Sequence, residues 1–195
     1  MTSRVLTFNV IPAQAAIQEM QHKMKIGILG GSFNPPHHGH LHISELALKR
    51  LQLDQIWWIV TEKNPLKNPK DYEAHAARTQ KCQDLVGDHP KIKILQNDEI
   101  YTEKLISDLK TKYKNHRFTF VVGADVLEKF HRWKNFKKII SAIDLAIFSR
   151  GNFLLKIQKF PAWKFVKTAG RYKIFFTKNN RASSTELRAS SPRRR

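Results

Sequence analysis

The sequence predicts an α/β domain built on a doubly wound, mostly parallel sheet, and three observations carry that expectation. Short apolar runs rich in β-branched residues alternate with amphipathic stretches from about residue 25 to residue 149, the pattern of repeated βαβ units. The first run ends in glycines ahead of a loop and a helix-like stretch, the kind of junction at which such sheets bind ligands. With 195 residues, 41% hydrophobic and 10% aromatic, the chain suffices for one packed domain.

KIGILG, residues 25–30, starts right after Met24 and is apolar after Lys25, as expected of a strand buried on both faces. After the loop GSFNPPHH, residues 39–51 place Leu41, Ile43, Leu46, Leu48 and Leu51 near helical spacing. QIWWIVT, residues 55–61, reads as a second buried strand. The Pro-punctuated stretch EKNPLKNPKD is a loop, and a helix follows over 72–86, with Gly87 and Pro90 as stop signals. KIKIL at 91–95 is the third strand, 102–113 a helix, FTFVV at 118–122 the fourth strand, and 142–149 the fifth. This order implies right-handed crossovers and a Rossmann-like winding, with ligands bound beyond the carboxyl ends of the strands where the strand order reverses.

Charge and cysteine usage narrow the partners. Lys and Arg number 35 against 16 Asp and Glu, a formal charge of +19, which fits nucleic acid, phosphorylated small molecules or acidic membranes. Of that surplus, +11 lies in residues 151–195 and only +1 in residues 1–23. No apolar run approaches the ~20 residues a membrane-spanning helix needs, so no membrane partner is expected. The lone Cys82 cannot form an intramolecular disulfide, which points to a reducing, cytoplasmic location. Arg4 and the Ala13-Gln14-Ala15 stretch faintly imitate a secretory signal, but Asn9, Pro12 and Gln14 interrupt its apolar part. The expected division is a disordered or non-catalytic extension over 1–23, the domain over 24–189 and a basic tail over 190–195.

The loop after the first strand is the chemical focus. Gly30 and Gly31 let a ligand approach the backbone, and the following helix offers free amides and partial positive charge to a phosphate. His37 and His40, three apart, fall on one side of a first helical turn with Gly39 between them. Beside polyphosphate the rings would tend towards their protonated form and donate to its oxygens. The plainer alternative is a capped turn with solvated histidines. A metal site is a further one, since His38 and His42 stand close by in sequence, but no carboxylate or thiolate pattern accompanies them.

GGSFNPPHHGH, residues 30–40, resembles the signature of the nucleotidylyltransferase superfamily, whose HxGH element falls on His37, His38, Gly39 and His40. Class I aminoacyl-tRNA synthetases carry a related HIGH box. Near the other end stands ASSTELR, residues 182–188. Hydroxyls before an acidic residue mark a helix start that either caps itself or binds an anion, and Arg188 one turn on can fork onto phosphate oxygens. SSTELR is similar to the superfamily's second phosphate-binding motif and follows the first in the expected order, while the synthetases' KMSKS element is missing.

WWIVTEKNPLK, EIYT and VVGADVLEKFHRW resemble the nicotinate mononucleotide adenylyltransferases, bacterial enzymes that make the dinucleotide precursor of NAD. The resemblance runs from about Met24 to Arg188 and is least distinctive over 151–181. It implies catalytic roles for His37, His40 and Arg188, and ATP contacts at Gly30, Gly31, Ser32, Phe33, Gly39, Gly123, Asp125, Ser184 and Thr185. It also implies that Trp133 stacks on the pyridine ring, with Tyr101 and Thr102 near the ring carboxylate, and that Asn64 and Lys67 lie on the mononucleotide side. Read without it, Trp133 is either a core residue or an exposed aromatic on a basic stretch, Asp125 either a helix cap or a ligand contact at the carboxyl end of the fourth strand, and Lys67 a solvated loop lysine. Family members commonly begin at the equivalent of Met24 and continue through a further C-terminal helix, so this chain departs from them at both ends.

The reaction implied is attack by the phosphate of nicotinate mononucleotide on the α-phosphorus of ATP, with pyrophosphate leaving. Such a transfer needs positioning and charge stabilisation rather than a protein nucleophile. Mg²⁺ is expected to arrive through the ATP phosphates, with no dedicated protein metal site. ATP and nicotinate mononucleotide are therefore the expected partners, and a homo-oligomer is compatible with the sequence. A pantetheine-phosphate type adenylyltransferase is the nearest rival. A basic nucleic-acid-binding protein is a rival of another class, which the +19 charge favours and the absence of any RNA-binding signature opposes.

Overall fold

The computed structural model describes residues 23–62, 73–97, 99, 101–150 and 156–177. Most of the expected N-terminal extension and all of the basic tail lie outside them. Among the described residues six strands form one sheet: β1 Lys25–Gly31, β2 Gln55–Thr61, β3 Ile92–Asn97, β4 Arg117–Gly123, β5 Asp144–Arg150 and β6 Tyr172–Thr177. The helices are α1 His38–Leu51, α2 His75–Val86, α3 Thr102–Lys112, α4 Ala124–Phe130, α5 Phe136–Ala142 and α6 Trp163–Ala169. The sheet order is β3-β2-β1-β4-β5-β6 and all five pairings are parallel. This is the doubly wound, Rossmann-like order, with its switch point between β1 and β4.

Alternation along the strands explains the two layers. Trp57 and Trp58 are neighbours in β2 and point to opposite faces. On one face Ile26, Ile28, Trp57, Phe120 and Ile147 pack under α3, α4, α5 and Val166 of α6. On the other, Leu29, Trp58, Val60 and Phe148 pack under Ile43 and Ala47 of α1 and Cys82 of α2. β1 carries Gly27 because a Cβ there would lie 2.7 Å from the Leu53 side chain. No helix among the described residues is long and apolar enough to cross a membrane.

Three expectations need correction. The fifth strand begins at Asp144, not Ala142, because residues 136–142 form α5. Phe136, Ile139 and Ile140 face the core at helical spacing, but the isoleucines run into the apolar segment that follows and blur the boundary. The third strand is shifted to 92–97, where it pairs along β2 from Ile56↔Ile92 to Thr61↔Asn97. A sixth strand, unanticipated, pairs with β5 from Leu145↔Tyr172 to Arg150↔Thr177; its interrupted pattern, with Lys173 amid aromatics, hides it in a basic stretch.

Candidate functional site

The crevice is built into the strand pairing. β1 stays paired with β2 as far as Gly31↔Val60, but its pairing with β4 stops at Ile28↔Phe120. β4 meanwhile pairs with β5 through Gly123↔Phe148. The two central strands therefore part over their last residues, and the loops that follow them, at Ser32 and at Gly123, flank the opening.

Past Gly31 the chain turns at Phe33, which takes φ 45, a conformation bulky residues seldom adopt. Its ring is 2% exposed and stacks on Trp58, centroids 5.0 Å apart and planes 12° from parallel. Phe33 thus places its side chain in the core rather than at the surface of the loop. The Asn34–Pro35 peptide is cis.

α1 then begins with an unusual cap in which both partners are imidazoles. Nδ1 of His37 accepts the Gly39 N–H at 3.1 Å, and Nδ1 of His40 accepts the His37 N–H at 3.2 Å. This is the reciprocal logic of a capping box, and it fixes chemistry as well as conformation. With Nδ1 used as acceptor on both rings, the hydrogen sits on Nε2 of each. Each ring can therefore donate from Nε2 without a second proton, so the expected protonated pair is not needed for donation to phosphate. The ring centroids are 3.8 Å apart, which sets the donors side by side.

Behind the histidines lies a buried polar relay absent from the sequence reading. The Trp58 Nε1–H donates to Ser44 Oγ at 2.7 Å, and Ser44 Oγ–H donates to the His40 carbonyl at 2.8 Å. Trp58 and Ser44 are both fully buried. The relay ties the first turn of α1 to β2, while Phe33 and Trp58 back the His40 ring at 4.9 and 5.9 Å. The signal available in the sequence was the adjacent tryptophan pair, of which one indole N–H had to find an acceptor inside the core.

Across the opening, α4 starts immediately after Gly123. The Asp125 carboxylate folds back over Gly123 and fills the space where a Cβ would stand, so this glycine and this exposed acid form one unit. On the flank of the crevice, Tyr101 precedes α3 and is 37% exposed. Lys134 Nζ lies 4.1 Å over its ring, and Asn135 Nδ2–H donates to Glu103 Oε2 at 3.1 Å. These contacts join the start of α3 to residues 134 and 135, which directly follow Trp133. Trp133 is half-buried and packs edge-on against Phe120 and Phe130 at 6.2 and 5.0 Å. Phe120 in turn lies 3.6 Å from where a Cβ on Gly30 would stand, so a single ring separates the tryptophan from the glycine loop.

Asn64, Lys67, Ser184, Thr185 and Arg188 lie outside the described residues. Among the described residues no three His, Cys, Asp or Glu side chains are gathered as metal ligands. His38 is exposed and His42 is half-buried.

Comparison with known proteins places this geometry. Residues 28–190 match the cytidylyltransferase-like family model. A relative from Ruegeria sp., curated as "Probable nicotinate-nucleotide adenylyltransferase", is 42% identical over 132 residues, covering 65% of this chain and 68% of its own. One of the same name from Bradyrhizobium sp. strain ORS 278 is 38% identical over 155 residues, 77% of this chain and 79% of its own. Among solved structures, the Plasmodium falciparum nicotinic acid mononucleotide adenylyltransferase complexed with NaAD superposes with TM-score 0.67 at 22% identity, over 86% of this chain and 83% of that one. That likeness is one of fold.

Proposed function

The chain belongs to the nicotinate-nucleotide adenylyltransferase family of cytidylyltransferase-like proteins, and from that premise we propose that it transfers the adenylyl group of ATP to nicotinate mononucleotide. The products are nicotinate adenine dinucleotide and pyrophosphate, a step of NAD biosynthesis. The observation that carries the reading is the imidazole pair at the mouth of the β1–β4 crevice, whose Nδ1 atoms are occupied by backbone amides.

In this reading a phosphate oxygen of the mononucleotide forms a bond to the α-phosphorus of ATP while the bond to the bridging α–β oxygen breaks. The electron pair leaves with pyrophosphate. The Nε2–H groups of His37 and His40 donate to the phosphate oxygens on which charge builds, each bond contributing about 1.5 to 3 kcal/mol where it tightens in the transition state. Holding the two substrates in line supplies roughly 7 to 11 kcal/mol. Magnesium enters as part of the ATP complex, its phosphate-bound form being the substrate. Asp125 and Gly123 take the adenosine half, Ser184, Thr185 and Arg188 take phosphate, and Trp133, Tyr101 and Thr102 receive the pyridine ring. Asn64 and Lys67 complete the acceptor side.

The test is a coupled pyrophosphate assay on the full chain with nicotinate mononucleotide, nicotinamide mononucleotide and phosphopantetheine as acceptors. Turnover should be highest with the nicotinate compound. Release of pyrophosphate with phosphopantetheine alone would overturn the reading.

A further inference from the structure

We infer that Arg78 is a positioning residue that locks the glycine loop after β1 and the chain on both sides of residues 63–72 into one rigid unit; the inference rests on the adenylyl-transfer reading. Arg78 stands in the first turns of α2 and is 1% exposed. Its Nε–H donates to the Glu73 carbonyl at 3.0 Å and Nη2–H to the Glu62 carbonyl at 2.7 Å. Nη1 donates to the Thr61 carbonyl at 3.0 Å and to the Ser32 carbonyl. One guanidinium thus binds main-chain oxygens from the loop after β1, from the end of β2 and from the residue before α2.

The neighbours tie the same pieces. Thr61 Oγ1–H donates to the Gly31 carbonyl at 3.2 Å, the Glu73 N–H donates to Asn34 Oδ1 at 3.4 Å, and His75 Nε2 bonds the Val60 carbonyl at 2.8 Å. In this set the Thr61–Gly31, Glu73–Asn34 and Arg78–Ser32 bonds reach the chain at the end of and just after β1, and the others tie α2 to the end of β2 at the carboxyl edge of the sheet. A buried cation that loses its acceptors is costly, so the loops cannot drift from it independently. Only a planar fork with five donors reaches acceptors in these several directions; a lysine ammonium, with three donors at one point, cannot. The set of Ser32, which follows the glycine pair, and that of Glu62 and Glu73, which bound the stretch holding the proposed acceptor residues, are therefore made common.

The experiment compares wild type, Arg78→Lys and Arg78→Ala as full chains, first by circular dichroism and melting, then in steady state. A folded Arg78→Lys should lose about 10- to 100-fold in kcat, the range expected from a misplacement near 1 Å, with KM raised for ATP and mononucleotide together. Millimolar guanidinium should restore part of the activity of Arg78→Ala. A folded Arg78→Lys with wild-type kcat and both KM values would overturn the inference. So would a variant that fails to fold as lysine, since that reduces Arg78 to a structural role. Binding of a non-hydrolysable ATP analogue, measured by calorimetry, separates the two proposals. If wild type binds the analogue but transfers nothing to the mononucleotide, the acceptor reading fails, while weaker analogue binding by Arg78→Lys still supports the inference.

Discussion

At the β1–α1 junction the contacts that fix His37 and His40 are buried or half-buried: two imidazole caps, the Trp58–Ser44 relay and the Phe33 stack. On the Tyr101–Trp133 flank, beyond the shared apolar core of Leu105, Ile106, Ile139 and Ile140, the polar contacts that join α3 to the segment after α4 lie at the surface. They include Lys134 over Tyr101, Asn135 on Glu103, and Lys138 4.0 Å from Glu103. Exposed pairs of this kind contribute about 0 to 1 kcal/mol, whereas a buried donor stripped of its acceptor costs about 1 to 3 kcal/mol. The difference separates a half that holds its geometry through buried bonds from a half held by surface pairs, which on the proposed reading is the one that receives the ring. Charge stabilisation in a transition state depends on donors that are already aimed. Recognition of a planar aromatic tolerates a softer frame.

Breaking the rigid half should have the largest effect. His40→Ala should lower kcat by about 10²- to 10³-fold, the cost of one transition-state donor, and also lower stability by about 0.5 to 2 kcal/mol because the His37 N–H loses its cap; near wild-type turnover of the folded variant in the pyrophosphate assay would remove the donor role. Trp133→Ala should come next, weakening mononucleotide binding by about 1 to 3 kcal/mol, the range for a base on an aromatic platform, and ATP binding less. Equal losses for both substrates in titration calorimetry would argue that Trp133 is only a wedge between Phe120 and Phe130.

A matched pair sharpens the comparison further. Ser44→Ala strands the Trp58 N–H and should cost about 1 to 3 kcal/mol in urea unfolding. Glu103→Ala should stay within about 1 kcal/mol, and a reversal of that order would invert the assignment of rigid and soft halves. The smallest effect concerns Cys82, on the buried face of α2, whose thiol burial pushes up to about 12 from 9.0. The unfolded chain therefore releases this proton first, so the contribution is complete below pH 9 and is lost as pH rises towards 12. Cys82→Ala should flatten the alkaline fall in the urea midpoint relative to wild type.

Much of the site was legible because its residues are local. Gly30, Gly31, His37, Gly39 and His40 sit within one strand-to-helix junction, so their spacing already implied a phosphate-sized cradle. Tyr101, Thr102 and Trp133 come from segments some thirty residues apart; the family resemblance grouped them, and the Glu103–Asn135 bond supplies a physical reason. Ser44, Trp58 and Arg78 could not be read as site residues, because each looks locally like a core or helix residue. Their roles arise from partners 14 to 46 positions away.

The order of β-runs and amphipathic stretches determined the doubly wound class, since hydrophobic period and crossover handedness leave few alternatives. The glycine and histidine spacing singled out the β1–α1 junction as the candidate site. Only the tertiary structure decided where β1 and β4 part, that α5 takes the residues before β5, that a sixth strand closes the basic end, and which nitrogen of each histidine holds its hydrogen. Those matters turn on register and on hydrogen-bond partners brought from distant segments, and a backbone amide or buried guanidinium finds its partner only once the sheet has been assembled.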